Sequence, residues 1–210
     1  FWNLGQLANA IYPLIEQVEP LQQAINAYKD TFERGWQKMV ADKLGLNAYD
    51  PVADKELHTE LLILLQTVET DMTIFYRKLG MLVMDAELGN EALMAPLMEA
   101  YYVPEQLTDE YKARLGNWLK SYIKRVQNSG VTDEVRIKTM NAANPNYVLR
   151  NYLAQLAIDK AEQGDFSMVN ELLELLRHPY DDQPGKEEFA LKRPDWARQR
   201  AGCSMLSCSS

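Results

Sequence analysis

The sequence predicts an all-α protein. Apolar residues recur at spacings of three and four through most of the chain, the signature of helices with one buried stripe. No segment sustains the alternation of a half-buried strand. Only ten glycines occur in 210 residues, too few for a turn-rich β protein. The architecture expected is an irregular multi-helix domain.

The first helix is expected over Asn3 to Val18, with Leu4, Leu7, Ala8, Ile11, Leu14, Ile15 and Val18 on one stripe and Pro13 as a kink or division. Pro20 suits the first turn of a second helix carrying Leu21, Ile25, Tyr28, Phe32, Met39 and Val40, which Gly45 ends. After a polar connector with Asp50-Pro51, a single third helix is predicted from Asp54 to Leu79. Its stripe runs through Leu57, Leu61, Leu64, Leu65, Val68, Met72, Phe75 and Leu79, with Gly80 as its cap. A short helix follows Gly89, broken near Pro96 and finished before Pro104.

Thr108 reads as the N-cap of a helix bearing Leu115, Trp118, Leu119, Tyr122, Ile123 and Val126, closed by Gly130. Thr132 caps another, to about Met140. Asn144-Pro145 opens a helix through Tyr147, Leu149, Leu153, Leu156, Ala157 and Ala161. Gly164-Asp165 turns the chain, with Phe166 stapling the helix that follows. That last helix covers Ser167 to Arg177, with Val169, Leu172, Leu173 and Leu176 inward and Pro179 as its stop. Residues 1–179 thus form a helical domain and residues 180–210 an irregular tail. The aromatics Trp36, Phe75, Trp118 and Tyr122 fit core stripes.

Charge and composition exclude several functions. A formal net charge of −8 repels phosphate backbones and anionic lipid, so neither nucleic acid nor membrane is an expected partner. No apolar run approaches the roughly 18 residues of a membrane span. The opening Phe1-Trp2-Asn3-Leu4 reads as the middle of a helical protein, so residues upstream of it are expected.

Catalytic signatures are missing. There is no Gly-x-x-x-x-Gly-Lys, no Gly-x-Gly-x-x-Gly, no His-Arg-Asp, no Asp-Phe-Gly and no Gly-x-Ser-x-Gly. His58 and His178 are too few and too far apart for a zinc set. His58 reads as a helical surface or satisfied histidine, and His178 as a helix C-terminal cation. The carboxylate pairs Glu69 with Asp71, Asp85 with Glu87, and Asp181 with Asp182 read as solvated charge, because positions two apart on a helix diverge. The distinctive chemistry is the pair Cys203 and Cys208 in the last eight residues. They are read either as exposed thiols on a flexible tail, able to exchange disulfides with a partner cysteine, or as incidental residues.

Several segments together resemble one family. Asn144-Pro145, Leu149-Arg150-Asn151, Leu153-Ala154-Gln155 and Ala157-Ile158 form one block. Gly164-Asp165, Leu172 to Tyr180, Arg193-Pro194-Asp195-Trp196-Ala197 and the terminal Ser207-Cys208-Ser209-Ser210 continue it. In this order they are similar to the C-terminal region of the selenoprotein O (YdiU) family of protein adenylyltransferases. The resemblance implies a protein-kinase-like fold that binds ATP in an inverted pose. It also implies transfer of AMP to Ser, Thr or Tyr hydroxyls of protein substrates with Mg²⁺. The residues for ATP and Mg²⁺ would lie upstream, in a missing N-terminal kinase-like domain, leaving no cofactor site here. These helices would complete the kinase-like C-lobe.

Arg150 and Asn151 are expected to anchor buried backbone or a neighbouring helix. Cys208 takes the position of the family's selenocysteine, where a terminal cysteine can pair with one in the kinase core. The additional Cys203 offers a competing local disulfide. The implied compartment is cytoplasmic, or mitochondrial for an animal member. Two rivals stand beside this reading: an autonomous helical interaction module, and a thiol redox protein lacking the Cys-x-x-Cys spacing of such proteins.

Overall fold

The computed structural model describes residues 1–203. Nine α-helices and four short 3₁₀ helices account for the regular structure among them, with one isolated antiparallel bridge and no strand. The all-α prediction therefore stands.

Helix α1 covers Trp2–Ile15 and α2 covers Val18–Leu44. Pro13 lies inside α1 without dividing it. The helix stops earlier than the apolar stripe predicts because Glu16 turns left-handed at φ 55° and its N–H closes on the Tyr12 carbonyl. Together α1 and the first two-thirds of α2 make a hairpin arm. The stripe expected to be core is not buried: α1 contributes no buried residue, Trp2 is 75% and Leu14 85% exposed, and α2 buries only Val40, Ala41 and Leu44.

The first apolar core is built by the end of α2 and by helices α3 (Ala53–Thr67), α4 (Met72–Leu79), α5 (Asn90–Met94), α6 (Asp109–Ser129) and α7 (Asp133–Ala143). Phe75, Tyr122, Leu61, Leu64, Leu79, Leu115 and Leu119 lie fully inside it. Thr108 and Thr132 cap α6 and α7 as expected. Aromatic residues fix the helices by their polar ends. The Trp118 indole N–H donates to the Leu57 carbonyl at 2.8 Å, and the Tyr122 hydroxyl donates to the Leu44 carbonyl at 2.9 Å. Burial pushes the Tyr122 phenol up to about 12. Trp36 is only partly buried; it meets His58 edge-on at 5.4 Å, and burial lowers the pKa of that histidine.

Two charged residues in this core had no sequence signal. Asp54, fully buried, accepts two hydrogen bonds from Arg125, at 2.6 and 2.9 Å. Arg136, also fully buried, donates to the carbonyls of Leu79, Gly80 and Leu82 at and just beyond the end of α4. Gly45 makes room for it: at φ 66° a Cβ there would sit 2.5 Å from the Arg136 side chain.

The predicted single helix from Asp54 to Leu79 is two. Residues 68–71 leave the helix and cross residues 100–102. Thr70 bridges Tyr101, the Asp71 N–H reaches the Ala100 carbonyl at 2.8 Å, and the Tyr102 N–H reaches the Glu69 carbonyl at 3.1 Å. The Asp71 carboxylate then caps α4 through the Ile74 N–H. Gly80 closes α4 in an ordinary right-handed conformation.

A second core follows, made by α8 (Asn151–Glu162), α9 (Ser167–Arg177) and the segment to Cys203, which supplies Phe189 and Ala197. Helix α8 starts later than Asn144. The Asn144 amide is held by the Lys43 and Met140 carbonyls, and the Asn146 and Tyr147 N–H groups both donate to the Pro179 carbonyl. With their polar groups satisfied this way, residues 145–150 stay outside any helix. Helix α9 has the predicted bounds; Leu172 is buried and Leu176 half-buried as expected, Met168 and Leu175 are buried as well, and Phe166, Val169 and Leu173 are exposed. No helix among the described residues is long and apolar enough to cross a membrane.

Candidate functional site

The site residues read from the sequence separate at once. Cys208 lies outside the described residues, and so does any pairing with Cys203. Cys203 is a free thiol but not an exposed one: it is 2% exposed and belongs to the second core. Of the two readings of this cysteine, the one that makes it an exposed thiol is overturned by its burial. The residues leading to Cys203 are tied down rather than loose.

The ties converge on the crossing of residues 68–71 with 100–102. Glu69 accepts from Arg193 at 2.7 Å through one oxygen and from Arg198 at 2.8 Å through the other. Asp71, buried to 5% exposure, takes both terminal nitrogens of Arg150 at the start of α8 and accepts the Tyr102 hydroxyl at 3.0 Å. Arg150 thus anchors a neighbouring helix, as expected of it. The Arg193 backbone N–H donates to the same Tyr102 oxygen at 3.2 Å. Lys192, Arg193 and Arg198 also stand over the Tyr102 ring, 5.7, 5.2 and 5.6 Å from its centroid. Burial, with the Asp71 charge second, raises the Tyr102 phenol pKa.

Glu69 and Asp71 are therefore not the diverging solvated pair that a continuous helix implies. The helix break turns both toward the C-terminal segment, and together they face three guanidinium groups. The other two carboxylate pairs are simpler. Asp85 caps the turn at Glu87, and Asp182 pairs with Arg77 at 3.0 Å. His178 stands exposed at the end of α9, 3.7 Å from Asp181.

A cleft of about 350 Å³ runs between the two cores, lined by Ile74, Arg77, Tyr147, Asp182, Gln183 and Leu191 among others. Arg77 is committed there to the carbonyls of Asn141, Asn144 and Tyr180 and to Asp182, so the cleft gains no anion-binding cation from it. No cluster of three or more His, Cys, Asp or Glu able to hold a metal occurs among the described residues.

The described residues thus make a helical body with an uncovered apolar arm and an ionic seam. Residues 1–177 match the family model described as protein adenylyltransferase SelO. The chain belongs to that family. It is 53% identical to the protein nucleotidyltransferase YdiU of Rhodopirellula baltica, 47% to that of Aromatoleum aromaticum and 44% to that of Flavobacterium johnsoniae. All of this chain is covered each time, but only 39 to 40% of the relative, so the chain spans about two-fifths of their length.

Proposed function

We propose that these residues are the C-terminal helical part of a protein adenylyltransferase whose complete polypeptide transfers AMP from ATP to Ser, Thr or Tyr side chains of proteins. The observation that carries this is the family match over residues 1–177 together with the two-fifths coverage of the relatives. In this reading ATP and Mg²⁺ are held by an N-terminal kinase-like domain, and the helices described here complete its C-lobe. The absence of any phosphate-binding motif in the sequence agrees with a nucleotide site elsewhere.

The arm supports the same reading. Phe1, Trp2, Leu7, Leu14, Val18 and Phe32 are all exposed on it. An exposed apolar surface of this kind is the mark of an interface. The occupant we assign is the kinase-like domain. The compartment we propose is the cytoplasm, with the mitochondrion as the alternative.

An intact mass tests the coverage argument. The native polypeptide, captured from its source cells with an antibody to this chain, is expected at about two and a half times 24.1 kDa. A native mass of 24.1 kDa would overturn the reading in favour of a free-standing helical interaction module.

A further inference from the structure

We propose that residues 191–203 form an ion-latched strap, with Glu69 as its catch, that gates solvent access to the Cys203 thiol. The inference rests on the seam and not on the adenylyltransferase reading. Between Leu191, which is exposed, and Cys203, which is buried, the strap holds Lys192, Arg193, Arg198 and Arg200, and each bonds to the body. Arg193 and Arg198 share the two oxygens of Glu69, Lys192 donates to the Tyr101 carbonyl, and Arg200 pairs with Asp159 on α8.

Apolar contact is thinner. Ala197 is fully buried and Trp196 stands edge-on to Tyr152 at 6.1 Å, but Trp196 itself is half exposed. The strap is therefore held largely by charge. Glu69 and Arg198 are each about one-third exposed, so these pairs are open to screening and individually weak. The Arg150 and Arg193 Nε–H groups are buried without a hydrogen-bond partner, a cost that lifting the strap would relieve for Arg193. At the far end Gly202, at φ 78°, brings the backbone so close to α8 that a Cβ would fall 2.1 Å from the Gln155 side-chain oxygen. Cys203 is thus sealed only while the strap lies flat, and any chemistry at its sulfur requires release.

The test is a pulse of N-ethylmaleimide on the complete native protein, with alkylation mapped to the Cys203 peptide by mass spectrometry. A weak latch opens often, so the labelling rate follows the open population. Glu69→Gln is expected to raise the rate about tenfold, since two partly exposed ion pairs are lost together. Raising salt from about 0.1 M to about 1 M shortens the screening length from about 10 Å to about 3 Å and should accelerate labelling of the unaltered protein about threefold. That salt response should shrink in Glu69→Gln, where only the Arg200–Asp159 pair remains to be screened. Glu60→Gln, which breaks the Glu60–Arg114 pair remote from the strap, should leave the rate unchanged. The latch is overturned if Cys203 of the unaltered protein labels as fast as a free thiol. It is also overturned if Glu69→Gln labels no faster than the unaltered protein, or if Glu60→Gln accelerates labelling equally, which would mean global opening.

Discussion

Arg136→Met is expected to destabilise the protein by about 3 kcal/mol or more, seen as a lower denaturation midpoint in urea. The guanidinium is fully buried and is the donor to the Leu79, Gly80 and Leu82 carbonyls. Methionine fills much of the same volume, so the loss is polar rather than steric. Each buried acceptor left without a donor costs about 1–3 kcal/mol. The acidic partner, Asp133, is 56% exposed and recovers water, so it adds little to the penalty. Arg114→Ala, which removes the surface pair with Glu60, should cost at most about 1 kcal/mol. Equal costs for the two would contradict the role given to Arg136.

Asp71→Ala should be nearly as damaging, at about 3–5 kcal/mol, because a buried guanidinium loses its counter-charge. The same substitution removes the cap on the Ile74 N–H and the acceptor of the Tyr102 hydroxyl. Asparagine caps as well as aspartate, so Asp71→Asn should cost distinctly less and isolate the charge. Denaturation of both variants decides the matter. If alanine and asparagine cost the same, the helix cap contributes little and the ion pair with Arg150 carries the whole effect.

Much of the fold was legible because helix ends carry local chemistry. Thr108, Thr132, Gly45 and Gly130 mark termini through their own hydrogen bonds or left-handed backbone, and the structure uses each one where expected. What failed was long-range. The apolar phase passes unbroken through Val68, Met72 and Phe75, so the break between α3 and α4 left no trace in periodicity. Only the crossing with residues 100–102 reveals it. That break is what places Glu69 and Asp71 on the seam.

The burial of Cys203 leaves no trace in the sequence for the same reason. Its burial depends on Arg193 and Arg198 meeting Glu69, and Arg193 lies 124 positions away from it. The apolar stripe on α1 is present as a stripe but is not core. Periodicity marks which face wants covering, not what covers it. For Arg150, by contrast, an anchoring role is expected from its place on a helix after Asn144-Pro145, although its partner Asp71 is not.

The proposed role of the arm and both cores in a longer AMP-transferring enzyme has a direct test. The most direct measurement is transfer of label from α-labelled ATP to protein hydroxyls, with Mg²⁺, by the complete polypeptide and by the 210-residue chain in parallel. Label transfer is expected from the complete polypeptide and none from the chain alone. Transfer by the 210 residues alone, or none by the complete polypeptide, would contradict it.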